Sequence, residues 1–300
     1  MFHPGEKAVQ IRAGVDAADW GSAGVGGTVP PIAAEFLQAQ VFVVISAADR
    51  SGALWTTQLT GEPGFVHAAA EDEVHIRAVP PPTDPLHDAL NATSSTEPAD
   101  VGLIALEPST RRRMRVNGTA HRDGDRMIVR TEQVYSNCPK YIQTRRPRPL
   151  LTPQRSRPIR HESHDLTQHQ RSWLSRADTF FIGTASPHLG LDASHRGGNP
   201  GFVHVDGSRL SWPDYVGNSM YMTLGNLELD SRAGLLFLDW EQGHSLHLSG
   251  RARIDWSPSR AAGTPGAQRH IDFDLDRVVQ VDHSTPLTWT FEKYSRFNPH

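Results

Sequence analysis

The chain has 300 residues, 37% of them hydrophobic and 21% charged, with a formal net charge of -3 and an isoelectric point near 6.6. That balance suits one large or two ordinary soluble domains, excludes wholesale disorder and gives no general nucleic-acid-binding surface. A single cysteine, Cys138, permits neither an internal disulfide nor a cysteine-rich zinc centre. No apolar run approaches the ~18 residues of a membrane-spanning helix.

The opening MFHPGEKAVQIRAGV lacks the basic and then apolar run of a secretory signal, so a cytoplasmic protein is expected. A helix is predicted within PPIAAEFLQAQ (30–40), leading into a strand that starts near Phe42. The stretch FVVISAADRSGALWTT (42–57) reads as strand, glycine turn at Gly52, strand. It is followed by PGFVH (63–67), and later by VGLIALEPSTRRRMRVNGTAHR (101–122) and DRMIVRTEQV (125–134). CPKYIQTR (138–145) is a further helix candidate. TRRPRPLLTPQRSRPIRHESH (144–164) reads as an extended linker, because its prolines preclude a continuous helix or a central strand. LTQHQRSWLSRA (166–177) predicts a helix feeding a strand near Phe180.

From there the chain repeats itself. FFIGTASPHLGLDASH (180–195) parallels 42–57, with Gly190 in the place of Gly52, and PGFVH returns at 200–204. AGLLFLDWEQGHSLHLSGRARI (233–254) aligns without a gap to 101–122, setting Gly234 on Gly102, Gly250 on Gly118 and Ala252 on Ala120. DRVVQVDHST (276–285) then matches DRMIVRTEQV. Landmarks recurring in one order predict two copies of one mainly β domain, each a meandering antiparallel sheet or small barrel with helices at its margins. The expected division is residues 1–145, a linker at 146–164, and residues 165–300.

LDASHRGGNPGFVHV (191–205) has little to offer a hydrophobic core. It is either a solvated glycine-rich turn or the wall of a polar pocket. The histidines form no HExxH and no Cys-His zinc spacing, so no metal is expected; His67 and His204 read as structural. Cys138 reads as a small packing residue or as a helix-terminal thiol of lowered pKa. Asp214 and Tyr215 read as a turn or as part of a pocket.

The series DASHRGGNPGF, PDYVGNSMYMTLGNL, GLLFLDW and LHLSGRARI resembles the pyridoxamine 5'-phosphate oxidase-like family of FMN-binding split barrels. FHPGEKAVQIRAGV, GALWTTQLTGEPGF and NCPKYIQTR resemble a longer subgroup that carries two such units in one chain. The resemblance spans roughly residues 2 to 285 and implies two tandem split β-barrels joined as an intramolecular pseudo-dimer, as monomer or homodimer. One flavin site is expected, dominated by the second copy.

It also implies FMN as cofactor, held by Ser194, His195, Arg196 and Gly197 and by Tyr221, Thr223, Leu224, Gly225 and Asn226, with Lys140 reaching across from the first copy. The family's phosphate-gripping Arg-Lys pair is replaced by Leu227 and Glu228, so Arg196 and Lys140 must supply the charge, with Glu228 facing solvent. The implied activity is that of an FMN-dependent oxidoreductase. It would move electrons between a reduced nicotinamide nucleotide, or a partner reductase, and a small-molecule substrate, with no part for nucleic acid or membrane. The alternatives are a non-catalytic flavin store or sensor, and a split barrel that binds haem or deazaflavin.

Overall fold

The computed structural model describes residues 2–15, 25–148, 157–187 and 190–299. The molecule is mainly β, built on two large antiparallel sheets. The first takes its strands from the amino-terminal half: β1 (Phe42–Ala48), β2 (Leu54–Thr60), β3 (Val66–Ala70), β4 (Glu73–Ile76), β5 (Ala99–Glu107), β6 (Arg112–Asp123) and β7 (Arg126–Ser136), in the order β2-β1-β5-β6-β7-β4-β3. Strands β8 (Thr144–Arg148) and β9 (Ile159–Ser163) lie between the two large sheets in sequence.

The second sheet contains β10 (Thr179–Ser186), β11 (Gly190–Gly197), β12 (His204–Asp206), β13 (Arg209–Tyr215), β14 (Arg232–Leu238), β15 (Ser245–Asp255) and β16 (Ala267–Asp282). Its order, β11-β10-β14-β15-β16-β13-β12, is that of the first sheet strand for strand. The ladders also shift register at matching glycines, between Asn117 and Gly118 and between Ser249 and Gly250.

The pairing fixes the correspondence. Ser46 sits between Thr56 and Gly102, as Gly183 sits between Ala193 and Gly234. Phe42 therefore corresponds to Thr179 and not to Phe180. A slip of one residue reverses the face of a strand. Phe180 accordingly lies in the core of the second sheet with Trp212 and Phe237, whereas Phe42 lies in a separate cluster with Val44, Ile104, Phe181, Leu236 and Trp289.

That third cluster is the seam between the sheets. Its contacts are reciprocal: a Cβ on Gly102 of β5 would come within 2.6 Å of the Asp192–Ala193 backbone of β11, and one on Gly234 of β14 within 2.7 Å of the Leu54 carbonyl of β2. Only glycine allows the strands to approach so closely.

Helices cover the margins: α1 (Pro4–Arg12), α2 (Pro31–Gln38), α3 (His87–Asn91), α4 (Gln168–Arg176), α5 (Met222–Leu229) and α6 (Pro258–Ala262). The predicted helices at 30–40 and 166–177 correspond to α2 and α4, and Thr167 closes the start of α4 in a capping box with Gln170. The helix expected at 138–145 is absent. That segment turns at Tyr141 and enters β8, which pairs with β17 (Thr288–Lys293). The Pro/Arg-rich segment is not extended linker throughout: β8 lies at its start, and β9 near its end pairs with β16. Residues 149–156 of it lie outside the described residues. Pro147 is tolerated because β8 belongs to a two-stranded ribbon and needs no second ladder.

Among the described residues no helix is long and apolar enough to cross a membrane. Phe42 is 1% exposed, with the Trp289 ring 5.2 Å and the Phe181 ring 6.4 Å away. Phe42→Ala should destabilise the chain by about 3–5 kcal/mol, read from urea unfolding.

Candidate functional site

Strand β6 alternates Arg113, Arg115 and Asn117 with Met114 and Val116. Successive side chains of a strand point to opposite faces, and Met114 and Val116 fill the core of the first sheet. The arginines therefore turn toward the second sheet, where β11 presents Asp192, Ser194, His195 and Arg196.

Arg115 is the centre of the contact. It donates to Asp192 Oδ2 at 2.7 Å, to Ser194 Oγ at 2.6 Å and to the Tyr135 hydroxyl at 3.2 Å. Asp192, 1% exposed, accepts on its other oxygen from Asn117 Nδ2 and the Tyr135 hydroxyl, each at 3.2 Å. Burial works against the Arg115 charge, but Asp192 and Tyr135 hold its pKa above the ordinary value. Arg196 donates to Ser194 Oγ at 2.9 Å from the other side.

Arg113 has no carboxylate. Its Nη1 lies 3.0 Å from His195 Nδ1. Burial, together with the Arg115 and Arg196 charges, pushes the Arg113 guanidinium down to about 9. Burial and the same surrounding arginines push His195 well below its usual range. A neutral His195 that accepts from Arg113 on Nδ1 carries its proton on Nε2. That Nε2, together with Arg113 Nε, Arg115 Nε, and Nε and Nη1 of Arg269, is buried without a hydrogen-bond partner. Asp214, whose pKa is raised by burial against the pull of Arg196 and Arg269, lies 3.4 Å from Arg269 Nε.

Of these groups Arg113, Arg115, His195, Arg196 and Asp214 line a cleft with about 820 Å³ between its walls, open mouth included. Three arginines and Lys140 line it with one aspartate, so the cleft is electropositive, and its orphan N–H groups ask for an acceptor. The segment 217–224 forms one side. Ser219 and Tyr221 have φ of 57°, and Tyr141 across the mouth has φ of 65°. Non-glycine residues in this region cost on the order of 1 kcal/mol or more and cluster at functional sites. Tyr221 opens α5, whose first turn has no side-chain cap. Thr223 and Leu224 of that turn line the cleft, where uncapped N–H groups favour an anion.

Of the residues named from sequence, Lys140, His195, Arg196, Gly197, Tyr221, Thr223 and Leu224 line this cleft, and Ser194 is bonded to two of its arginines. Lys140 reaches from the first half to the Val216 carbonyl at 3.4 Å. Gly225 and Asn226 lie on the far side of α5, Gly225 against Glu6 of α1 and Asn226 bonded to Thr184. Leu227 is buried and Glu228 exposed. Cys138 and Asp214 also line the cleft, and Cys138 is on no helix. Arg113, Arg115, Tyr135 and Asp192 were not singled out from sequence; the charged alternation within RRRMRVN was the available signal.

The corresponding place between the other pair of strands is different. By the same register, Ser245 stands for Arg113, His247 for Arg115, Thr57 for Ser194 and Leu59 for Arg196. Asp84 enters instead, taking the Thr57 hydroxyl proton, while His247 donates to the Thr56 carbonyl at 2.9 Å. With no arginine and a buried carboxylate, that position repels an anion. Among the described residues no group of three His, Cys, Asp or Glu side chains is placed to hold a metal.

No family model and no curated protein matches the chain. Solved structures do resemble it. A protein provisionally described as a pyridoxamine 5'-phosphate oxidase from Lactobacillus delbrueckii is 16% identical, covering 39% of this chain and 94% of its own, with a TM-score of 0.32. An FAD binding protein from Mycobacterium smegmatis is 12% identical over 40% of this chain and 98% of its own, with a TM-score of 0.29. HupZ from Group A Streptococcus is 14% identical over 38% of this chain and 91% of its own, with a TM-score of 0.31. At that level these likenesses establish neither a family nor a ligand for this chain.

The two arginines of β6 should separate by role in ligand-free protein. Arg115→Met leaves Asp192 buried and unpaired, and should cost about 3–5 kcal/mol in urea unfolding. Arg113→Met removes an uncompensated buried charge and should leave stability unchanged or raise it.

Proposed function

We propose that the chain is an FMN-binding oxidoreductase of the pyridoxamine 5'-phosphate oxidase-like type. In this reading residues 1–145 and 165–300 are tandem split barrels that form a pseudo-dimer within one chain, joined through residues 146–164. The observation that carries the reading is the set of buried, unpartnered N–H groups on Arg113, Arg115 and His195, in a cleft where arginines outnumber carboxylates. A buried phosphate satisfies both the donors and the charge.

Arg196, Arg113 and Lys140 are the cations that hold the phosphate. Arg115, already committed to Asp192, keeps Ser194 in place. The neutral His195 offers Nε2–H, and the first turn of α5 offers backbone N–H. Tyr221, backed by Arg269 at 5.0 Å from its ring, supplies a flat wall for an aromatic system. When bound, the flavin supplies the electron-transfer chemistry, and the protein supplies position and electrostatics. The position occupied by Asp84 and His247 takes no second cofactor, so each chain binds one flavin.

Charge-assisted hydrogen bonds contribute about 1.5–3 kcal/mol each. Arg196→Ala should therefore weaken FMN about ten- to a hundredfold and riboflavin much less, with Arg196→Lys recovering part of the loss. Fluorescence titration of apoprotein with both ligands reads this, and equal losses for both ligands would refute the phosphate assignment. Purified protein with a Soret band in place of a flavin spectrum would replace the cofactor assignment. Bound flavin that neither NADH, NADPH nor a reductase reduces under anaerobic conditions would leave a flavin-binding protein without turnover.

A further inference from the structure

A second cleft lies behind the arginine cleft, divided from it by Met220, Met222 and Asp192, and has about 570 Å³ between its walls, mouth included. Its outer wall is α1, which packs on α5 where Gly5 meets Gly225: a Cβ on Gly5 would lie 2.0 Å from the Gly225 carbonyl oxygen. Gly225 and Asn226, which the sequence assigned to flavin, thus belong to this side.

Four polar atoms facing this cleft are buried without a hydrogen-bond partner: Glu6 Oε1, His3 Nε2, Asn117 Oδ1 and Ser186 Oγ. Glu6 is 2% exposed, Asn117 5% and Ser186 6%. His3 Nδ1 accepts from the backbone N–H groups of Gly5 and Glu6, at 3.2 and 3.4 Å, so its proton is on Nε2. Burial lowers the His3 pKa, opposed by polar contact with the Asn226 side chain and by the Asp192 charge, and Nε2 lies 3.7 Å from Glu6 Oε2, beyond hydrogen-bond reach. Burial pushes the Glu6 carboxyl up to about 7, against the hydrogen bond from the His3 backbone. The remaining charge on this side, Asp192, is spent on Arg115.

The cleft therefore offers one fixed donor in His3, one fixed acceptor in Asn117, a hydroxyl in Ser186 that serves either way, and a carboxyl that readily becomes neutral. Among the described residues no lysine or arginine lines it. We propose that it is a second ligand-binding subsite, which takes a small neutral group that both donates and accepts hydrogen bonds, of the carboxamide class. An anion would find no counter-charge there. An ammonium ion would find Glu6, but would leave the His3 donor unanswered. This subsite does not depend on which anion the arginine cleft takes.

The test uses full-length protein carrying ¹³C-methyl methionine, because Met220 and Met222 line the cleft. It is titrated with acetamide, acetate and methylammonium, three probes of similar size and different charge. Acetamide should move the Met220 and Met222 signals saturably and bind at least tenfold more tightly than either ion. Ser186 lines this cleft and not the arginine cleft, and its hydroxyl has no partner to lose. Ser186→Ala should therefore fold normally and weaken acetamide about three- to tenfold. Met220 and Met222 also line the arginine cleft, so only binding that Ser186→Ala weakens is counted here; absence of a saturable shift, tighter Ser186-dependent binding of either ion, or an acetamide affinity unchanged by Ser186→Ala would each overturn the proposal.

Discussion

The ion pair between Arg115 and Asp192 joins the two halves of the molecule and sets the position of everything around it. One partner comes from β6 and the other from β11, and both are buried in the seam between the sheets. A buried pair is stabilising only when its remaining hydrogen-bonding capacity is met. Here Asp192 also accepts from Asn117 and Tyr135, and Arg115 also donates to Ser194 and Tyr135. The same bonds orient the residues that face the two clefts: Ser194 anchors Arg196 on one side, and Asn117 turns its carbonyl to the other. Neither cleft exists in one half alone, so its geometry depends on how the halves pack.

Two sheets with one strand order share a backbone plan but not its chemistry. At one junction β6 supplies arginines; at the other, β15 supplies Ser245 and His247 at the same register. The difference in sign is completed by a third element. Asp84, between β4 and α3, places a carboxylate against Thr57, and burial raises its pKa. A repeat that kept arginines at both junctions would bury several like charges across a narrow seam. Replacing the arginines of one junction by Ser245 and His247 removes that repulsion and leaves the other free to be strongly positive.

What was legible in the sequence follows from what leaves a local mark. Glycines at close strand approaches, Gly102 and Gly234, stand in aligned segments because any side chain there would collide with backbone. LTQHQRSWLSRA marked α4, whose start the structure closes with a capping box at Thr167. The register of β1 against β10 was hidden because FVVI and FFIG are apolar on both faces, so alternation could not decide it. β8 was hidden by its arginines and Pro147, and its partner β17 lies more than a hundred residues away. α1 was hidden for the opposite reason to most helices: its buried face is Gly5, Glu6, Val9 and Gln10, which makes no apolar stripe. Arg113 and Arg115 carry no local mark of burial in RRRMRVN, and packing against β11 covers them.

The two clefts share a wall, and that wall is not inert. The Met222 sulfur lies 2.8 Å from the Tyr135 hydroxyl and 3.6 Å from Asn117 Nδ2, which ties the start of α5 to the Asp192 network. α1 holds α5 from behind through Gly5 and Gly225, and Gln10 of α1 lies 3.5 Å from the Met220 carbonyl in the strained segment over the arginine cleft. The first turn of α5 thus faces the arginine cleft through Thr223 and Leu224, while Met222 borders both clefts and Asn226 faces the second. One helix, only eight residues long, uncapped at its start and clamped between α1 and the seam, sets the position of both walls.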